Sequence, residues 1–65
     1  MNWDRVKGEW TEWKGKLRAE YGEPTDDELE QTKGEKEQVL GLIQQKYGKA
    51  KDTVEREIDE FFPKI

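Results

Sequence analysis

The sequence predicts a small all-α fold of about four helices, and three observations carry that expectation. Tryptophans, aliphatics and a tyrosine recur at helical spacing from Trp3 to Tyr21. Thr25-Asp26-Asp27-Glu28 has the pattern of a capping box, and Gly22, Gly48 and Pro63 stand where helices would stop.

The first helix is expected over about residues 3 to 21. At roughly 100° per residue, Trp3, Val6, Trp10, Trp13, Leu17 and Tyr21 fall within an arc of about 80°, which defines one buried stripe. Asn2 can cap the helix, Asp4 complements the dipole in its first turn, and Gly22 is a natural residue to follow its end. A short second helix begins at Thr25, where the hydroxyl can accept from the Glu28 amide while the Glu28 carboxylate returns to the Thr25 amide. Leu29 is its single strongly apolar residue, and Gly34 interrupts or bends the chain before a third helix. That helix, about 35 to 47, buries Val39, Leu40, Ile43 and Tyr47. The last helix, about 51 to 61, places Val54, Ile58, Phe61 and Phe62 on one side and meets Pro63.

The glycines add a pattern that composition hides. Gly8, Gly15 and Gly22 are spaced by seven, as are Gly34, Gly41 and Gly48. Setting residues 8 to 22 against 34 to 48 also matches Glu9 with Glu35 and Tyr21 with Tyr47, and places Leu17 against Ile43. Two related helix-turn-helix halves packed on each other would explain the match, whereas a solenoid needs three or more units. Gly8 and Gly15 lie nearly opposite the tryptophan stripe and read first as tolerated glycines on a solvent face. Close approach of a partner backbone there is the sharper alternative.

Sixty-five residues fit one domain, spanning 1 to 65, and at this size only about 60% of the chain's surface is buried on folding. With no cysteine and no histidine, disulfides, thiolate nucleophiles, imidazole bases and the usual zinc ligands are missing. Carboxylates, lysines, hydroxyls and two tyrosines remain, but acid/base work needs a dry pocket that a chain of this length hardly encloses. We therefore expect no enzyme, no catalytic residue, no cofactor and no metal site. The net charge of -4 weighs against nucleic acid as a partner, because phosphates are neutralised by lysine and arginine. The start of the chain lacks a basic region followed by an apolar one, and apolar residues come at most two in a row. No membrane association is expected, and the lack of cysteine suits a reducing cytoplasm. A charged fraction of 43% against 31% hydrophobic residues raises disorder as an alternative, opposed by the ordered placement of the aromatics.

The chain resembles the CsbD-like family in Gly8-Glu9-Trp10, Lys14-Gly15-Lys16, Gly22, Thr25-Asp26-Asp27, Gly34, Gly41, Tyr47-Gly48 and Glu57-Ile58-Asp59-Glu60-Phe61. The resemblance covers nearly all of the sequence. It implies a four-helix fold of two crossed helical hairpins and a small hydrophilic bacterial protein of the general stress response. It implies no established biochemical activity and supplies no catalytic residues. Departures from the family pattern are informative. Ala50 stands where a serine would cap the last helix, so that helix should start less cleanly. Lys49 stands where an aromatic is frequent, Pro24 replaces a common leucine, and Leu42 replaces a common lysine. Leu42 should be partly exposed, where it could support weak self-association of an otherwise monomeric protein.

Three constellations invite sharper readings. Asp26, Asp27, Glu28 and Glu30 are dense enough to suggest calcium, but an EF-hand loop begun at Asp26 or Asp27 would need glycine at Gln31 or Thr32. Helix capping and dipole compensation explain the cluster better. The spacing of Trp3, Trp10 and Trp13 is that of a core stripe rather than a platform for bases or a ligand. Lys7, Lys14 and Arg18 fall within about 40° of one another and form a basic line beside the stripe. Their stems are expected to shield the tryptophans while the charges stay in water. The function expected from all this is a non-enzymatic stress-response protein that binds or protects, with an unidentified macromolecular partner. The alternatives are a nucleic-acid-binding stress protein and a flexible hydrophilic protectant.

Overall fold

The computed structural model describes residues 2–63. Among them are five α-helices and no strand: α1 Trp3–Gly8, α2 Trp10–Glu20, α3 Asp26–Thr32, α4 Lys36–Tyr47 and α5 Lys51–Phe61. The fold class is all-α, as the periodicity predicts.

The first expected helix is divided at Glu9, whose φ of -113° and ψ of 33° leave the helical region. Glycine at position 8 weakens the helix there. The chain around Gly34 packs against the same point: a Cβ on Gly34 would stand 2.9 Å from Lys7 Cα and 3.2 Å from Trp10 Cε3. The interruption is local, because the Glu9 amide donates to Arg5 and Val6 while its carbonyl accepts from Glu12 and Trp13. The stripe survives it, and Val6, Trp10, Trp13, Leu17 and Tyr21 are all buried.

That division gives the internal repeat its structural meaning. Glu9 and Glu35 are the N-caps of α2 and α4, so each half is a short helix, a Gly-Glu step and a long helix. In the second half the step is a tight turn, with Lys33 at φ 54° and Gly34 at φ 78°, whereas Gly8 remains helical. The helix α5 stands outside the repeat and packs chiefly on α4.

One contiguous core joins the helices: Val6, Trp10, Trp13, Leu17, Tyr21, Leu29, Val39, Leu40, Ile43, Val54 and Ile58. Leu29 anchors α3 from both ends of its structure, with the side chain wholly buried and the carbonyl accepting from Trp10 Nε1 at 3.0 Å and Thr32 Oγ1 at 2.6 Å. Leu42 is half-buried at the core margin, as expected. Tyr47 is half-buried rather than buried, and Phe61, expected on the buried side, is 43% exposed. Phe62 takes the inner place instead, edge-on to Trp13 with ring centroids 5.0 Å apart.

The termini follow the local chemistry. Asn2 Oδ1 accepts from the amides of Asp4 and Arg5, and the capping box forms with Thr25 and Glu28 in both roles. Gly48 ends α4 in the left-handed region at φ 66°. At the end of α2 the chain leaves through an extended Tyr21, with no left-handed conformation at Gly22. Ala50, as the departure at that position implies, caps α5 without a side-chain hydrogen bond.

Candidate functional site

Lysine–carboxylate pairs cross nearly every junction between helices. Lys7 meets Glu35, Lys14 meets Glu30 at 2.8 Å and Asp26 at 3.7 Å, and Lys46 meets Glu28 at 2.8 Å. Around α5, Lys36 meets Glu55 at 3.0 Å, Lys49 meets Glu57 at 2.8 Å, and Lys51 meets Glu37. Hydrogen bonds from these lysines hold the Glu28, Glu37 and Glu57 carboxyls below the ordinary carboxylate range, and bonds to Glu35 and Glu30 raise Lys7 and Lys14. Singly such surface pairs contribute little. Their arrangement is consistent, because each joins residues distant in the chain or at a helix junction around the common core.

These pairs correct the reading of the basic line. The Lys7 and Lys14 ammoniums are both engaged by carboxylates of the second half; the Lys7 side chain stays 54% exposed, as expected of a charge in water, whereas the Lys14 side chain is only 12% exposed. A lysine outside the basic line also lies over a tryptophan: Lys16 Nζ is 4.5 Å from the Trp13 ring centroid. In the acidic cluster, Asp26, Glu28 and Glu30 face Lys14 or Lys46, and among the described residues no group of three or more potential ligands could hold a metal ion. Trp10 and Trp13 are core residues and Trp3 is half-buried against the core. A Cβ at Gly8 or Gly15 would meet nothing within 4 Å, which matches the solvent-face reading. The glycine of close approach is Gly34. An open depression follows residues Gly8 to Glu12.

One end of the molecule is chemically distinct. Tyr21, Tyr47 and Phe61 terminate α2, α4 and α5, and their rings meet there: Tyr21 lies 5.6 Å from Tyr47 and 5.8 Å from Phe61. Phe61 continues to Phe62 at 6.3 Å, and Phe62 to Trp13 in the core. The Tyr21 hydroxyl donates to Glu57 at 3.0 Å, and the Tyr47 hydroxyl accepts from the Glu23 amide at 3.0 Å. Burial, the Glu57 bond and the charges of Glu57 and Glu20 push the Tyr21 phenol well above its ordinary value. Sequence reasoning paired Tyr21 with Tyr47 as equivalents without seeing that they touch. The signal was present, since α4 and α5 end in an aromatic residue and another caps α2.

A small all-helical protein with one continuous core and helices joined by ion pairs is the class that emerges. The chain belongs to the CsbD-like family, whose model matches residues 4–56. It is 52% identical over 62 residues to a UPF0337 protein of Bordetella pertussis, covering 95% of this chain and 94% of that protein. It is 40% identical over 62 residues to a UPF0337 protein of Rhodopseudomonas palustris, with the same coverage of 95% and 94%. To the UPF0337 protein YjbJ of Escherichia coli O6:H1 it is 39% identical over 61 residues, 94% of this chain and 88% of that one. No solved structure matches the chain. No helix among the described residues is long and apolar enough to cross a membrane.

Proposed function

We propose that this protein is a non-enzymatic component of the bacterial general stress response, acting in the cytoplasm as one folded unit that binds or protects another macromolecule. Membership of the CsbD-like family over residues 4–56 carries the reading. Two structural features support the folded form over a flexible hydrophilic shield: the continuous core from Val6 to Ile58, and the lysine pairs that join the helices around it. Engagement of Lys7 and Lys14 by Glu35 and Glu30 weighs against the nucleic-acid alternative, since those ammoniums already have counter-charges.

Affinity capture from stressed cells, with the folded protein as bait and a core-disrupted variant as control, tests the proposal. A partner retained by the folded bait and lost with the control supports it. Protection of cell extracts that scales with protein mass and persists in the unfolded control would favour the shield.

A further inference from the structure

The C-terminal ends of α2, α4 and α5 converge at the aromatic end, and three features of that convergence point to a ligand of one charge. The first is the helix dipole, which places partial negative charge at each C-terminus, so three such ends turned to one patch favour cations. The second is a set of carboxylates: Glu20 and Glu60, adjacent in sequence to Tyr21 and Phe61, are exposed, while Glu57, which bonds the Tyr21 hydroxyl, is already paired with Lys49. The third is the patch surface, where Phe61 is the exposed large hydrophobic residue among those described. Half-buried Tyr47 and Phe62 continue that surface. Aromatic faces attract cations, and arginine adds a flat surface that stacks on them. The molecule already uses this chemistry here, because Lys49 Nζ lies 5.7 Å from the Tyr47 ring centroid while it bonds Glu57.

From this convergence we propose that the aromatic end, centred on Phe61, is a docking surface for an arginine-bearing basic segment of a partner protein. Guanidinium groups stack on Phe61 and the neighbouring rings while the charges meet Glu20, Glu60 and the helix ends. Such a surface gives orientation and selectivity for basic over acidic partners more than high affinity. The inference rests on the binding reading above and names its partner chemistry.

The probe is an acetylated, amidated peptide of alternating arginine and glycine, titrated into isotope-labelled protein and followed by backbone amide NMR. The expected result is saturable shifts confined to residues 20–23, 47–50 and 60–62, weakened as salt is raised. Phe61→Ala should weaken binding at least tenfold, and Glu20→Gln with Glu60→Gln at least threefold, with cooperative melts retained. The doubly neutral variant keeps the test decisive if Phe61→Ala loosens the fold. The proposal fails if the citrulline version of the peptide binds equally, if shifts scatter over the acidic surface, or if both variants bind as the parent does. Choline chloride binding the same residues as tightly as the peptide would also overturn it, in favour of a small-cation site. A cooperative melt with no peptide binding sinks this inference and leaves the folded-module reading standing.

Discussion

Gly34 lies against Lys7 so closely that a Cβ at position 34 would stand 2.9 Å from the Lys7 Cα, inside any tolerable contact. The backbone there is also left-handed, at φ 78°. A side chain would therefore face two penalties, conformational strain of roughly 1–2 kcal/mol and overpacking of about 1–3 kcal/mol. Gly34→Ala is expected to lower stability by about 2–4 kcal/mol in urea denaturation. Gly15→Ala, in open space inside α2, should instead raise it by up to about 1 kcal/mol. Changes of the same sign at both positions would contradict the packing described here.

The tryptophans should rank by burial and by hydrogen bonding. Trp13 is 1% exposed, whereas Trp3 is half-buried near the start of α1, so Trp13→Ala should cost about 3–5 kcal/mol and Trp3→Ala clearly less. Phenylalanine substitutions separate the polar contribution from the ring. Trp10 Nε1 donates to Leu29, whereas buried Trp13 Nε1 has no partner among the described residues, and an unmet N–H costs about 1–3 kcal/mol. Trp13→Phe removes that penalty along with ring area and should cost less than Trp10→Phe. Chemical denaturation of the four variants checks the order, and equal losses at Trp3 and Trp13 would refute it.

The period of the aromatic stripe made the core of α1 and α2 legible, because burial of Trp10, Trp13 and Leu17 follows directly from one face of a helix. The capping box at Thr25 was equally legible, being local chemistry. The break at Glu9 was not, since it depends on the chain near Gly34 arriving from elsewhere. Phe61 and Phe62 both lie on the apolar side of α5, and their assignment to surface and core depends on where Tyr21 and Trp13 stand. The lysine pairs were hidden for the same reason: residues such as Lys14 and Glu30 lie on different helices, and periodicity does not set which charges face each other across a junction.

Ala50→Ser tests the missing cap of α5. The Ala50 backbone already has the extended conformation of an N-cap, at φ -73° and ψ 153°, and its side chain offers no acceptor. The Thr53 amide is partly served by Asp52 Oδ1 at 3.0 Å. The gain should therefore lie near the lower end of the usual capping range, about 0.5–1 kcal/mol, read as a raised denaturation midpoint. An unchanged midpoint would mean that Asp52 suffices.

Stability should form a plateau in pH with two edges. Glu28, Glu37 and Glu57 titrate below the ordinary 4.5 because their lysine partners bond the charged forms. Their contribution is present above that value and is lost as pH falls through the depressed folded values. Lys7 and Lys14 are raised from 10.5 by their bonds to Glu35 and Glu30, and Tyr21 is raised from 10.0 by burial and Glu57. Those contributions are present below the ordinary values and are lost as pH rises through the folded ones. Melting temperature should accordingly be flat between about pH 5 and 9 and fall on both sides. Glu57→Gln, which removes the charged partner of Lys49 and Tyr21, should flatten both edges, and a profile indistinguishable from the parent would refute the assignment.

Reversal of the basic line separates a structural role from nucleic-acid binding. Lys7→Glu with Lys14→Glu sets like charges against Glu35, Glu30 and Asp26, so the double variant should melt at a lower temperature than the parent, with a difference that narrows in high salt. The parent should show no saturable binding of labelled DNA or RNA below roughly 10 μM at about 0.15 M salt. Three phosphate contacts from Lys7, Lys14 and Arg18 would give a salt slope of only about -2.7. Two of those three cations would first have to leave carboxylates that already hold them. Sub-micromolar binding that weakens with salt and disappears in the double variant, without a matching loss of fold, would place the nucleic-acid alternative first.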